Sequence, residues 1–365
     1  MRARRSTINH SRSQNRSQNR SQNHGRRHTL TVGSALVTAL LALSACGGSS
    51  DDGGASAGPS GDAKPRKTTV LLDWDPNPDH VALYTAREEG YFKAAGLDVT
   101  LQPPSDPSDP TKLVSTGKID LGISYEPETI IAGSQGLDVV AVGALVPTAL
   151  TSVIATGKSR VHTIADLAGA KVATAGLATQ DAFLTTILAS NHVAESSVTK
   201  VDVGQDLLAA MVTGNVDATL GGFRNVEAVQ LTADGRDPTV IPVTEAGVPE
   251  YAELVVIAQA SRLARDTEYQ KLVRDFLSAL SRGNAAVLDD PAAAAKTIAA
   301  VADGYDPQVL PKMVDATVPL LRNPAGFGRQ DVSSWQSFAD WMSAEHLIDK
   351  PVTAADVVTN AYLPT

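Results

Sequence analysis

The chain has 365 residues, of which 31 are basic and 40 acidic, for a formal net charge of −9. Residues 1–45 hold eight of the arginines and no acidic residue, so the remainder carries 23 basic against 40 acidic groups, a balance of −17. An acidic body of this kind is not suited to nucleic acid or an anionic bilayer, because both are polyanions. Its length predicts two lobes rather than one small domain.

The N-terminal segment is typical of an exported lipoprotein. The apolar run Leu30–Leu43 has the length of a signal-peptide core and is too short for a comfortable membrane span. It leads into Leu43-Ser44-Ala45-Cys46, which resembles a bacterial lipobox with cleavage before Cys46, the only cysteine of the chain. We expect a signal peptide over residues 1–45, a lipid on Cys46 and a flexible tether rich in Gly, Ser, Ala and Asp over residues 46–67.

Strand-like and helix-like segments alternate from residue 68 onward. This order is typical of an α/β fold in which helices flank a mainly parallel sheet. In the first half, the predicted strands are Thr68–Asp73, Leu97–Leu101, Ile119–Ile123 and Val139–Gly143, and the predicted helices are Val81–Tyr91, Pro110–Thr116 and Glu128–Gly136.

The same order returns in the second half. VSTGKIDLGI at 114–123 and MVTGNVDATL at 211–220 both read as helix end, glycine, short turn, aspartate and buried strand. We therefore expect two lobes with the ligand cleft between them, at the carboxyl ends of the strands. Lobe 1 would comprise residues 68–152 and 255–365 with the C-terminal helices, and lobe 2 residues 153–254. The other predicted elements are strands Lys171–Thr174 and Tyr251–Ala258 and helices Gln180–Ser190, Leu207–Thr213, Asp266–Ser281 (stopped by Gly283), Pro291–Val301, Pro311–Leu321 and Val332–Glu345.

The stretch LLDWDPNPDH at 71–80 ends a hydrophobic strand in a proline-rich loop. Trp74 stands at the strand end, where a flat ligand could stack on its ring at little entropic cost. Asn77 offers a donor and an acceptor at the same edge, and His80 begins the next helix. The alternative is that Trp74 is a core residue, Asn77 a turn former and His80 only a helix-start residue.

Other strand ends supply further candidate ligand-binding residues. From residue 68 onward no metal-ligand spacing of histidines, no Gly-x-Ser-x-Gly and no Walker-type motif occurs, so we assign no catalytic residue, metal or cofactor. Tyr125 and Glu126 follow IDLGI, a paired-glycine turn with Gly221, Gly222, Asn225 and Glu227 follows VDATL, and Tyr251 and Glu253 lie in the return crossover.

The stretch LLDWDPNPDHVALYTAREEGYFKAAGLDV resembles the N-terminal region of the periplasmic-binding superfamily that includes thiamine pyrimidine-precursor-binding proteins. Related members of that superfamily bind alkyl sulfonates, nitrate or taurine. GKIDLGISYEPE, GGFRNVE and GVPEYAELVV extend the resemblance over about residues 68–350, and the Trp-x-Pro-Asn-x-x-His element is typical of the pyrimidine-precursor branch. The chain departs from the pattern at Glu126, where many relatives have glutamine, and at VALYTA, where relatives have TGLYVA.

The resemblance implies a two-lobed, type II periplasmic-binding-protein-like fold that closes on a small N-heterocycle. The expected ligand is an aminopyrimidine such as formylaminopyrimidine or hydroxymethylpyrimidine, delivered to the permease and ATPase subunits of an ABC importer. The expected protein is a monomer, lipid-anchored on the extracytoplasmic face of the cell membrane. Five residues fall on motif positions that would line the site: Trp74, Asn77, Tyr125, Asn225 and Glu227.

A binding protein for a small sulfonate-, nitrate- or taurine-like anion is the first alternative. Such a site needs arginine, lysine or a free helix N-terminus. The helix that starts near Gln180 offers one, but Asp181 already uses its dipole. We favour a neutral or cationic ring because acids outnumber bases in the candidate stretches, which hold Arg224 against Glu126, Asp181, Glu227 and Glu253.

An enzyme is the second alternative. The eukaryotic hydroxymethylpyrimidine phosphate synthase shares this fold, but it is cytosolic, carries a cysteine-rich motif and uses a histidine with pyridoxal phosphate. The only cysteine here is the lipobox Cys46, and the N-terminal segment predicts export. We therefore expect no enzymatic activity.

Overall fold

The computed structural model describes residues 64–364. The predicted signal peptide, the lipidation site Cys46 and most of the tether lie outside the described residues, so these remain predictions. Among the described helices, none is both long enough and apolar enough to cross a membrane.

Ten strands form in the described part of the chain. They are β1 Arg66–Leu71, β2 Leu97–Gln102, β3 Leu121–Ser124, β4 Val140–Val146, β5 Thr151–Ala155, β6 Lys171–Thr174, β7 Thr199–Asp202, β8 Ala218–Phe223, β9 Thr239–Pro242 and β10 Leu254–Ala258.

Helices follow or separate most of these strands. They are α1 Val81–Glu88, α2 Tyr91–Ala94, α3 Asp109–Ser115, α4 Glu126–Ser134, α5 Ala178–Ser190, α6 Leu207–Val212, α7 Glu227–Ala233, α8 Ala260–Arg265, α9 Thr267–Asp289, α10 Pro291–Ala299, α11 Leu310–Thr317, α12 Val332–Ala344 and α13 Ala354–Val357. Single turns of 3-10 helix cover Pro78–His80, Ile164–Leu167, Glu195–Ser197, Val243–Glu245 and Val318–Leu321.

The strands form two five-stranded sheets of matching design. Their orders are β2-β1-β3-β10-β4 and β7-β6-β8-β5-β9. In each sheet four strands share one direction and the fifth, β10 or β5, runs antiparallel between two of them. The chain passes to the second sheet between Val146 and Thr151 and returns between Pro242 and Leu254. The predicted two-lobed α/β fold with mixed, mainly parallel sheets is confirmed.

The central strands are apolar runs because helices cover both of their faces. All seven residues of β4 and all five of β10 are buried. One hydrophobic cluster joins the first sheet to α1, α9, α10 and α11. Another combines Ala144 of β4 with Val153 of β5, so the cores of the two lobes meet at the crossover.

Two glycines act differently from the sequence prediction. Gly90, at φ +70°, ends α1 before Tyr91, where a continuous helix was predicted. Gly283 was predicted to stop a helix, but α9 continues through it to Asp289. A Cβ at position 283 would stand 2.5 Å from the carbonyl oxygen of Ala82 and 2.6 Å from the Cβ of Ala86. Gly283 therefore allows α9 to pack closely on α1.

Candidate functional site

Two adjoining cavities lie between the sheets. Their empty volumes are about 330 and 320 Å³, and both are lined by Gly221 and Phe223, so they are neighbouring parts of one cleft. The first is further lined by Trp74, Asn77, Leu207, Val226, Glu227 and Tyr305, and the second by Tyr125, Pro127, Thr151, Leu177, Thr179, Gln180, Phe183, Tyr251 and Glu253.

Trp74 stands on a loop that its own hydrogen bonds make rigid. Oδ1 of Asn77 accepts from the backbone N–H of Asp79 at 2.8 Å, and Nδ2 of Asn77 donates to the carbonyl of Asp75 at 3.1 Å. The Trp74 ring is half-buried and packs against the apolar cluster of the second lobe that includes Leu207. The Trp74 ring, which was predicted to stack on the ligand, thus lies between the two lobes and lines the first cavity.

The carboxylate of Asp73 accepts two hydrogen bonds that support this loop. It is buried, and its Oδ1 accepts from Nε2 of His80 at 2.8 Å while its Oδ2 accepts from the hydroxyl of Tyr125 at 2.8 Å. Nδ1 of His80 accepts from the backbone N–H of Asn77 at 3.3 Å, which assigns the proton to Nε2. His80, predicted to bind ligand, is fully buried and its ring is bonded to Asp73. Burial, followed by the charge of Asp73, raises the pKa of Tyr125 well above its usual range.

Glu227 begins α7 and lines the first cavity. Its Oε2 accepts from the backbone N–H of Phe223 at 2.6 Å, and its side chain is half-buried. Burial raises the pKa of Glu227, and the bond from Phe223 lowers it in part. A ligand that brings an N–H donor or a positive charge to this carboxylate would offset its lost hydration.

The paired glycines are part of a strand, which corrects the prediction that they form a turn after it. β8 runs through both to Phe223, and Gly222 pairs with Ser152 of β5. The pairing then skips Gly221, which sits in a bulge at φ +124° and lines both cavities. Gly222 lines neither cavity and is buried in the sheet.

Asn225 lies beside the cavities rather than in them. It is only 2% exposed, and its Nδ2 donates to Oδ1 of Asp79 and to Oγ1 of Thr317, each at 2.8 Å. Asp79 and Thr317 belong to the first lobe and Asn225 to the second. Asn225, which was predicted to bind ligand, forms a hydrogen-bond bridge between the lobes in this structure.

Glu253 holds the two crossovers together. Its Oε2 accepts from the backbone N–H groups of Leu150 and Thr151 at 2.5 and 2.8 Å, and its Oε1 accepts from the Thr151 hydroxyl at 2.8 Å. The hydroxyl of Tyr251 donates to Oε2 at 3.1 Å. Burial raises the pKa of Glu253 although these bonds oppose the shift. Tyr251 and Glu253 line the second cavity, but both oxygens of the Glu253 carboxylate already accept hydrogen bonds from the protein.

Glu126 also binds the return crossover and lies outside the cleft cavities. Its Oε2 accepts from the backbone N–H of Ala252 at 2.8 Å, and its own N–H donates to the carbonyl of Ala252 at 3.3 Å. The side chain is 3% exposed, and burial raises its pKa from 4.5 to about 8. Glu126 lines a separate, open cavity together with Glu250 and Trp335.

The N-terminus of α5 reaches the cleft, but a carboxylate from the other lobe covers it. Oε1 of Glu128, on α4, accepts from the backbone N–H of Thr179 at 3.1 Å and from the Thr179 hydroxyl. Asp181 in the same turn pairs with Lys200 at 2.7 Å. No lysine or arginine lines either cleft cavity among the described residues.

Tyr305 is the main lining residue that the sequence reasoning missed. It lies in the loop between α10 and α11, in the segment Asp303-Gly304-Tyr305-Asp306-Pro307. Burial and then the charge of Glu227 raise the pKa of its hydroxyl above the ordinary range. The signal that singled out Trp74, an aromatic ring in a Gly- and Pro-rich loop, was present here too.

The two sheets and the cleft between them give the chain the fold of a two-lobed periplasmic binding protein. The structure of the alkanesulfonate-binding protein SsuA from Xanthomonas axonopodis pv. citri, bound to MOPS, matches it with a TM-score of 0.64 at 20% identity, covering 82% of this chain and 99% of that one. Residues 77–294 match the family described as NMT1/THI5 like, and the chain belongs to that family.

Two relatives show the range of that family. The formylaminopyrimidine-binding protein of Halalkalibacterium halodurans is 32% identical over 296 residues, which cover 80% of this chain and 89% of the relative. The 4-amino-5-hydroxymethyl-2-methylpyrimidine phosphate synthase of Aspergillus parasiticus is 29% identical over 239 residues, 62% of this chain and 68% of the relative. The predicted resemblance is confirmed.

Proposed function

We propose that this chain is the extracytoplasmic solute-binding lipoprotein of an ABC importer and that it captures an aminopyrimidine by lobe closure. The observation that carries the proposal is the composition of the first cavity, where the rings of Trp74 and Tyr305 accompany the carboxylate of Glu227. Aromatic faces suit a flat heterocycle, and a carboxylate suits an exocyclic N–H beside a ring nitrogen. The formylaminopyrimidine-binding relative supports the same ligand class.

The charge of the cleft disfavours the anion alternative. A sulfonate or nitrate would meet Glu227 and Glu253 and no cationic side chain from the cavity linings in residues 64–364. The exposed helix end that could replace a cation is already taken, since Glu128 accepts from the backbone N–H of Thr179. A neutral or cationic ring avoids the repulsion that an anion would suffer.

His80, the only histidine among the candidate site residues, is not free for an enzymatic role. Its side chain has 0% exposure, and both ring nitrogens are engaged, one by Asp73 and one by the Asn77 backbone. A histidine held in this way supports the loop and has no open path to a cofactor or substrate. The predicted export signal and the single cysteine of the sequence point the same way.

Calorimetric titration tests the ligand class. A form of the chain that begins after Cys46 would be titrated with 4-amino-5-hydroxymethyl-2-methylpyrimidine, formylaminopyrimidine, thiamine, taurine and nitrate. We expect binding of an aminopyrimidine and none of the two anions. Tight binding of taurine or nitrate alone would replace the proposal with the anion alternative. Small-angle scattering should show a smaller radius of gyration at saturation, because the lobes close around the ligand.

Fatty-acid labelling tests the anchor. Cys46→Ser should leave the precursor unlipidated, since the thiol is the acceptor of the diacylglycerol. Labelling that persists in this variant would contradict the lipoprotein assignment. Co-purification with an ABC permease after cross-linking in the native membrane would test the proposed partner.

A further inference from the structure

The bridge between Asp79 and Asn225 has one unsatisfied atom on each side. Nδ2 of Asn225 uses both of its protons, one toward Oδ1 of Asp79 and one toward Thr317. The remaining oxygens, Oδ2 of Asp79 and Oδ1 of Asn225, are buried and have no hydrogen-bond partner within residues 64–364. Both oxygens are acceptors, so one additional proton between them would complete the bridge, and no further side chain is needed.

A carboxylic acid paired with a carboxamide supplies what is missing. The amide N–H donates to one acid oxygen, and the acid O–H donates to the amide oxygen, which satisfies all four groups. Asp79 and Asn225 already form the first of these two bonds at 2.8 Å. We propose that Asp79 carries a proton on Oδ2 while the lobes are together, that this proton is donated to Oδ1 of Asn225, and that lobe closure therefore takes up one proton from solvent.

The electrostatics around Asp79 agree with this assignment. The side chain has 0% exposure, and burial raises its pKa well above the usual range, opposed by the Asn225 bond and reinforced by the charges of Asp73, Glu227 and Glu253. The next residue in the chain, His80, hydrogen-bonds Asp73 instead. The charged residues of the packed helices α1, α10 and α11 lie on solvent-exposed positions: Arg87, Glu88, Lys296, Lys312 and Asp315.

Opening the cleft would reverse the proton uptake. Asn225 follows β8 of the second lobe, so separating the lobes removes it from Asp79 and returns the carboxyl to water. In water an aspartate is ionised above a pH of about 4. At pH values between about 4 and the pKa of Asp79 in the closed form, closure binds one proton. The closed form is therefore lost progressively as the pH rises through this range. The inference rests on the proposed function only for the ligand that drives closure.

Asp79→Asn is a matched test of this coupling. The asparagine keeps an acceptor for Asn225 and brings a permanent N–H donor for its oxygen, so the pair is complete at every pH. The full chain in detergent would be titrated with 4-amino-5-hydroxymethyl-2-methylpyrimidine across the acidic to neutral range. We expect the affinity of the wild type, relative to that of the variant, to fall by up to about tenfold per pH unit, with uptake of about one proton. Protonation of the pyrimidine itself affects both proteins equally and therefore cancels in this ratio.

Equal pH profiles in the wild type and Asp79→Asn would overturn the proposal. If the pyrimidine does not bind at all, the proposed function fails, and two ligand-free measurements still decide the proton, since the Asp79–Asn225 bond already joins the lobes in this structure. The stability advantage of Asp79→Asn over the wild type should grow as the pH rises above about 4. Infrared spectra at neutral pH should show a protonated carboxyl band that is weaker in the variant. A constant stability difference and an unchanged band would each contradict a protonated Asp79.

Discussion

The hydroxyl of Tyr125 donates a hydrogen bond of 2.8 Å to Asp73, which lies 52 residues earlier in the chain. Because His80 donates to the other oxygen of the same carboxylate, Asp73 joins the loop of Trp74 to the start of α4. The buried carboxylate of Asp73 therefore supports both the loop of Trp74, which lines the first cavity, and Tyr125, which lines the second.

Tyr125→Phe should destabilise the fold. The change leaves Oδ2 of Asp73 buried without a donor, so we expect the free energy of unfolding to fall by about 1–3 kcal/mol. Urea unfolding measures the loss. Tyr84→Phe is the matched control, because the Tyr84 ring stacks with Arg87 and its hydroxyl makes no hydrogen bond within residues 64–364. Its effect should be about 0.5 kcal/mol or less. Equal losses in the two variants would contradict the importance of the Asp73 bond.

Trp74→Ala should weaken aminopyrimidine binding by about 1–3 kcal/mol, the range for loss of a base-stacking ring. Trp74→Phe keeps a flat face and should lose less. The other tryptophans, Trp335 and Trp341, line neither cleft cavity, so a ligand-induced fluorescence change should disappear in Trp74→Phe. Normal affinity in a destabilised Trp74→Ala protein would instead assign this ring to the core.

Substitutions at Glu227 should separate charge from shape. Glu227→Gln keeps an oxygen for the Phe223 N–H and one edge for a neutral ring, so it should lose only part of the affinity. Glu227→Ala removes both, and the loss should be larger, up to about 3 kcal/mol. Calorimetric titration compares them with Glu245→Gln, an exposed position that lines neither cavity. Equal affinities in all of these proteins would remove Glu227 from the site.

Glu126 should make stability fall as the pH rises. Its pKa is raised from 4.5 to about 8 in the folded chain, so folding holds a proton that the unfolded chain releases between these values. Stability from this group is complete below the unfolded pKa and declines up to the folded one, by about 3 kcal/mol at pH 7. Glu126→Gln keeps the acceptor for Ala252 without the titration. Urea unfolding should show the variant gaining on the wild type with pH, and parallel curves would refute the shift.

Much of the fold is local information and was predictable. Strand β6 has the predicted bounds Lys171–Thr174, because a short apolar run between a turn and a helix has few alternatives. The glycines were harder, since Gly283 in isolation reads as a stop. Its role depends on Ala82, about 200 positions earlier and visible only in the packed structure.

The lining of the cleft was predictable where a single strand end determines it, since Trp74 and Glu227 both line the first cavity. It was not predictable where distant partners decide the role. Asn225 bonds Asp79 across 146 residues, and Glu126 bonds Ala252 across 126. From sequence alone, a polar residue at a strand end is interpreted as a ligand contact, because its hydrogen-bond partner elsewhere in the chain is not visible.

The bulge at Gly221 has a consequence for how such a cleft can change in evolution. A Cβ at this position would overlap the side-chain amide of Gln180, whose Oε1 is fixed by the backbone N–H of Ala175 at 2.6 Å. Any larger residue at 221 therefore needs a shorter one at 180. A lineage that places a larger residue at 221 would have to alter β8 and α5 together, because that residue alone is opposed both by the overlap with Gln180 and by the φ of +124°.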